Sequence, residues 1–158
     1  MSSINIPPNY NLSLLAGGQK PLTTGLMDYT YRIYFKRTLT QQPSILFDHP
    51  DFMKATIEAD SSIKIYVYNL ATPMEISTNP GIVPMNTWTH LLITESNTAN
   101  TLRAYLDSTV IAVATIPAVS LLHTYWEYNV TLGYNVGKLA IFEIYYFIQA
   151  MLPDIIHW

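Results

Sequence analysis

The chain contains no cysteine, which excludes disulfides and thiolate metal sites and removes any need for an oxidising compartment. It is also short of charge. Charged residues make up 12% of the 158 positions, against about 25% in ordinary soluble domains. Only eight are Lys or Arg, spread along the chain with Lys36-Arg37 the one adjacent pair, and the net charge is −3. There is therefore no basic patch of the kind that holds nucleic acid. Long apolar runs are missing too, since a membrane span needs roughly 18 such residues. The longest candidate, Leu139 to Phe147, is interrupted by Glu143 and has the length of a strand. The start, Met1-Ser2-Ser3-Ile4-Asn5-Ile6-Pro7-Pro8, has neither the basic opening nor the apolar stretch of a signal peptide. The expectation is synthesis inside a cell or incorporation into a particle, the compartment otherwise staying open.

What the chain does have is hydrophobic and aromatic mass: 49% hydrophobic residues and twelve tyrosines. Its length fits one domain with a sizeable core. An uncharged surface of Thr, Asn, Ser and Tyr has two readings. One is a β-protein with Tyr and Thr on its solvated faces. The other is a domain covered by neighbours, because interface cores are depleted in charge and enriched in Tyr and Met.

Side chains alternate with period two along most of the chain. Tyr29, Tyr31, Ile33 and Phe35 share one face of a half-buried strand, with Arg32, Tyr34 and Lys36 on the other. Ile63, Ile65 and Val67 repeat the pattern, as do Leu102, Ala104 and Leu106. Segments 44–47, 54–58, 88–94, 109–116 and 138–147 add further strands. Turn chemistry such as Asp48-His49-Pro50-Asp51, Asn79-Pro80-Gly81 and Asp107-Ser108 separates them, at intervals of about ten residues. No useful stretch has helical periodicity. The fold expected is all-β, a two-sheet antiparallel jelly-roll sandwich over 25–158, with 1–24 as an N-terminal arm or edge strand. Trp88, Leu92, Ile33, Phe35, Leu106, Phe142 and Ile144 are expected inside it.

The order of landmarks in the second half resembles the concanavalin A-like lectin/glucanase superfamily, specifically its laminin-G-like modules. Trp88-Thr89-His90-Leu91-Leu92 is similar to the segment that opens a central strand there. Tyr105-Leu106-Asp107 is similar to the hairpin that follows, and 109–116 to the return strand. Leu132-Gly133, Gly137-Lys138-Leu139 and Ile144-Tyr145 continue the series. Two positions depart from the pattern. Ser108 stands where the family usually has a turn glycine, and Ala140-Ile141 where it often has acidic residues. The resemblance spans about residues 25–156 and implies the same sandwich fold.

Glycosidic hydrolysis normally needs two flanking carboxylates. Glucanases of this superfamily carry three on one strand face, and Glu58-Ala59-Asp60-Ser61-Ser62 lacks the third. Glu58 and Asp60 are better read as the end of a strand and the start of a turn, so no catalytic residue is assigned. Asp48 and Asp51 offer two carboxylates beside His49. Calcium is the one cofactor they could suggest, yet it takes six or more oxygens, and turn formation explains the pair better. His49, His90, His123 and His157 have no metal-binding spacing. His90 shares a strand face with Trp88 and is read as a core or hairpin residue. Tyr125, Trp126, Glu127, Tyr128 and Asn129 form an aromatic and polar cluster, read as a loop. It has the residue types that stack on and bond to sugars, although packing against the sandwich uses the same aromatics.

Three function classes follow. The chain is a structural component that assembles with copies of itself or other subunits, a virion subunit being one form. Alternatively it is a lectin-like module that binds glycans, or, least favoured, an enzyme. Low charge and Tyr-rich strands tilt this reading toward assembly.

Overall fold

Alternating apolar and polar side chains suit a surface buried on one face, and such runs become the strands of this chain. The computed structural model describes residues 2–18, 27–70, 72–96, 99–117 and 126–148. The strands are β1 (Ile4–Asn5), β2 (Leu12–Gly18), β3 (Met27–Arg37), β4 (Ser44–His49), β5 (Met53–Ile57) and β6 (Ile63–Val67). They continue with β7 (Met74–Ser77), β8 (Trp88–Ser96), β9 (Thr101–Leu106), β10 (Thr109–Thr115), β11 (Trp126–Tyr134) and β12 (Gly137–Ile148). No helix occurs among the described residues, so none is long and apolar enough to cross a membrane.

Two six-stranded antiparallel sheets pack face to face as a jelly-roll sandwich. The first runs β1-β12-β3-β8-β9-β10 and the second β2-β11-β4-β5-β6-β7. The N-terminal segment supplies one edge strand to each sheet: β1 pairs with β12 and β2 with β11. Asn135, in the turn between β11 and β12, ties it down. Its Oδ1 accepts the Asn9 N–H at 2.7 Å, and its Nδ2 donates to the Pro43 carbonyl at 3.0 Å.

Between the sheets lie Tyr31, Ile33 and Phe35 of β3, Leu91 and Ile93 of β8, Phe47 of β4, and Ile63, Ile65 and Val67 of β6. Tyr31 stacks on Phe47 across the gap, ring centroids 5.0 Å apart. Leu106 is buried in the same core, while Phe142 and Ile144 are half-buried against it. Phe142 meets Phe47 at 5.5 Å.

Two expectations are corrected. Trp88 is not a core residue. In β8 the inward positions are Thr89, Leu91, Ile93 and Glu95, opposite the inward face of β3. One step of register puts Trp88 on the outer face with His90 and Leu92. Leu92 is buried there all the same. The second correction concerns Trp126 to Asn129, read as a loop. They are strand, paired with Gly18, Gly17, Ala16 and Leu15. The β2 backbone pairs with theirs along this whole stretch, which makes it strand and not loop.

The β9–β10 hairpin closes on Asp107 and Ser108, both at positive φ (47° and 70°). This is the geometry that two-residue hairpins need and that glycine adopts most readily. Ser108 adopts it without being glycine.

Candidate functional site on the outer face of the first sheet

The register that turns Tyr31, Ile33, Leu91 and Leu106 inward aims their strand neighbours outward together. Arg32 of β3 lies between Glu143 of β12 and Leu92 of β8, and Tyr34 lies beside His90. The result is a polar network between two aromatic flanks.

At its centre Arg32 Nε donates to His90 Nε2 at 2.9 Å, and Arg32 Nη1 donates to Glu143 Oε2 at 3.2 Å. An arginine nitrogen only donates, so His90 Nε2 accepts, and the imidazole is neutral with its proton on Nδ1. Burial lowers the His90 pKa below 6.5, and the adjacent Arg32 charge lowers it further, against smaller opposing effects of Asp107 and Glu143. Tyr145 donates to Glu143 Oε2 at 2.6 Å. That bond first, and then Arg32, hold the Glu143 carboxyl below its usual range. Asp107 Oδ1 accepts the His90 backbone N–H at 2.8 Å, fixing the hairpin against β8.

Aromatic rings flank this network. Tyr34 and Trp88 lie with centroids 5.2 Å apart, and His90 meets Tyr34 edge-on at 6.1 Å. Arg32, Tyr34, His90, Asp107 and Ser108 line an open depression of about 380 Å³. The arrangement offers fixed donors, acceptors and ring faces to one ligand.

The residues singled out from sequence lie elsewhere. Tyr125, His123 and His157 fall outside the described residues. Trp126, Glu127, Tyr128 and Asn129 belong to β11, in the second sheet, and Asn129 is exposed. Asp48 is half-buried beside Lys54, its pKa raised by burial against the pull of Lys54. Asp51 is exposed in the turn at φ 66°. Among the described residues no three acidic or histidine side chains converge as a metal site. His49 is buried, accepting or donating at Nδ1 with the Tyr31 hydroxyl at 3.0 Å and stacking on Phe52 at 4.6 Å. Asp60 Oδ1 accepts the Ser62 N–H and hydroxyl, and Glu58 pairs with Lys64 at 3.2 Å. Both carboxylates are therefore committed to local structure.

Sequence reasoning saw Arg32 and Tyr34 only as a solvated face. The available signal was Glu143, an acidic residue in the middle of the longest apolar run.

Residues 13–143 match a family model of the concanavalin A-like lectin/glucanases superfamily, and the chain belongs to that family. No curated protein sequence matches it significantly. Among solved structures, it is similar to the CBM40 of the Ruminococcus gnavus IT-sialidase bound to α2,3 sialyllactose. The identity is 11%, coverage is 91% of each chain and the TM-score is 0.60. It is also similar to the leech intramolecular trans-sialidase complexed with 2,7-anhydro-Neu5Ac, at 14% identity and TM-score 0.67. That match covers 92% of this chain and 25% of the enzyme. The binding domain of botulinum neurotoxin DC in complex with rat synaptotagmin II matches at 10% identity and TM-score 0.57, covering 91% of this chain and 48% of that one. At these identities the likeness is one of fold.

Proposed function

We propose that the protein is a non-catalytic, lectin-like recognition module that holds a glycan against the outer face of its first sheet. The observation carrying this is the network of Arg32, His90, Glu143 and Tyr145 set beside the Tyr34–Trp88 pair. Sugars present hydroxyls in a ring plane and apolar C–H faces above and below it. Fixed polar groups next to aromatic rings complement both, since ring faces attract apolar surface while charge-assisted bonds orient hydroxyls. Membership of the concanavalin A-like lectin/glucanases superfamily and a neighbour bound to sialyllactose support the same reading. The exposed Asn129, with Trp126 to Tyr128 of the same strand β11, is the competing location for a sugar, on the second sheet.

A glycan array tests the proposal with the wild type, Arg32→Ala, Trp88→Ala and Trp126→Ala. Binding should fall at least tenfold in the first two variants and persist in the third. Binding to no glycan, or binding lost only in Trp126→Ala, overturns it.

A second reading, a subunit of a larger assembly such as a virion, is favoured by one observation. The edge strand β10 carries no charge and exposes Val110 and Val113.

A further inference from the structure

Lys36 and Lys138 stand directly opposite each other on the outer face of the first sheet. Lys36 follows Arg32 and Tyr34 along the outward side of β3, and the β12 register sets Lys138 against it, just as it sets Leu139 against the inward Phe35. The Cβ atoms of such a pair lie about 4.5–5.5 Å apart, and like charges in that position repel and weaken the sheet. The chain has only eight Lys and Arg. Setting two of them face to face is nothing the fold itself explains.

The carboxylates of this face are engaged elsewhere. Glu143 is held by Arg32 and Tyr145, and Asp107 by the His90 N–H. Asp28 lies at the opposite end of β3. Among the described residues neither lysine makes an ion pair. Glu143 in turn matches the charge of Arg32, so the open positive charge beside the aromatic rings belongs to the lysine pair.

Trp88 lies directly opposite Lys36 on β8, and Tyr34 sits one outward position before Lys36 on β3, about 7 Å along the strand. A sugar ring resting on Trp88 and Tyr34 therefore reaches Lys36 and Lys138 with a substituent at its rim. We infer that this substituent is anionic, a sulfate ester or a carboxylate whose oxygens accept from both ammonium groups, and that the glycan held on this face is an acidic one. Charge-assisted bonds from two ammonium groups to one anion are strong, and the anion relieves the repulsion between them. Two charges suit a single anionic group, not the run of phosphates along a nucleic acid. The inference rests on the glycan reading and adds to it the class of sugar and the residues that select it.

Titration of matched glycans tests it on the whole chain: one neutral oligosaccharide, and the same oligosaccharide carrying a sulfate or a carboxylate. The wild type should bind one or both acidic forms about tenfold tighter than the neutral one, and the two arms tell which anion is taken. Lys36→Gln and Lys138→Gln should each cut that ratio about threefold, and the double variant should bring it close to one. Lys64→Gln, which removes the same charge from the second sheet, should keep the ratio. Thermal unfolding separates selection from structure. Relief of the like-charge pair should leave the midpoint of the Lys36 and Lys138 variants unchanged or higher, whereas lysines that only support the fold would lower it together with binding. Equal affinity for neutral and acidic forms, still lost in Trp88→Ala, overturns the inference and leaves the glycan reading standing. An acidic preference that survives the double lysine variant overturns it as well. Binding to no glycan, neutral or acidic, overturns both.

Discussion

Asn69 donates its Nδ2–H to Glu95 Oε2 at 2.8 Å in the interior, and both residues are almost wholly buried. The remaining oxygens, Glu95 Oε1 and Asn69 Oδ1, meet no donor. An ionised Glu95 leaves two buried acceptors unsatisfied, whereas a protonated one supplies an O–H. Burial pushes the Glu95 carboxyl up to about 7, with the Asn69 bond opposing and Asp28 adding to the rise. The folded pKa lies above the ordinary 4.5, so the neutral acid stabilises the fold. That contribution is complete below about 4.5 and is lost as pH rises through about 7. The loss amounts to roughly 3 kcal/mol at 1.36 kcal/mol per unit. Glu95→Gln should therefore gain stability over the wild type between about pH 5 and pH 8, tracked by urea unfolding at each pH. A difference between the two proteins that does not change with pH rules this out.

Gly137 sits at φ +129° where β12 begins, and an added Cβ would strike the Thr38 hydroxyl and the Thr38 backbone N at 2.9 Å. The backbone cannot move freely, because Ile6 N–H bonds the Gly137 carbonyl at 2.7 Å and Thr38 N–H bonds the Val136 carbonyl at 2.9 Å. Gly137→Ala combines backbone strain with a clash and should cost about 2–4 kcal/mol. Thermal unfolding measures it. A loss below about 1 kcal/mol would mean that the strand start relaxes.

The sandwich was legible because period-two alternation reports burial on one face, and Ile63, Ile65 and Val67 carry it plainly. Trp88 shows the limit. Alternation gives two faces to each strand but not which one meets the other sheet, and an aromatic residue suits either. The bounds of β2 were not legible within the arm or edge strand expected over 1–24, because Leu14-Leu15-Ala16-Gly17-Gly18 has no alternation to read. The candidate site was hidden for another reason. Arg32, His90 and Glu143 lie far apart in sequence, and only the pairing of β12, β3 and β8 brings them together. No local spacing encodes that neighbourhood.

His90 should make ligand binding sensitive to acid. Its Nε2 must accept from Arg32 Nε, so a proton placed there sets two donors against each other. The folded pKa is lowered beneath 6.5, so the neutral form stabilises the network. That contribution is complete above about 6.5 and is lost as pH falls through the lower folded value. Glycan affinity should weaken on acidification, at a pH below 6.5. His90→Gln, whose amide oxygen still accepts, should bind with a flatter pH profile. Equal pH profiles for the two proteins would exclude His90 as the sensor.

Trp88 and Phe47 separate recognition from stability. Phe47 is fully buried between the sheets, stacked on Tyr31 and touching Phe142. Truncating it to Ala removes a core ring and leaves a cavity, at a cost of about 3–5 kcal/mol. Trp88 is half-buried on the outer face against Tyr34, with solvent on one side. Its truncation forfeits only part of a transfer term and opens no closed cavity, so about 1–2 kcal/mol is expected. On a glycan the order reverses. Trp88→Ala loses a ring face beside the polar network, whereas Phe47→Ala, measured at a temperature where it is folded, keeps the whole outer surface. Urea unfolding and glycan titration on the same two variants check both halves. A Trp88→Ala cost equal to that of Phe47→Ala would return Trp88 to the core and remove the aromatic flank from the site.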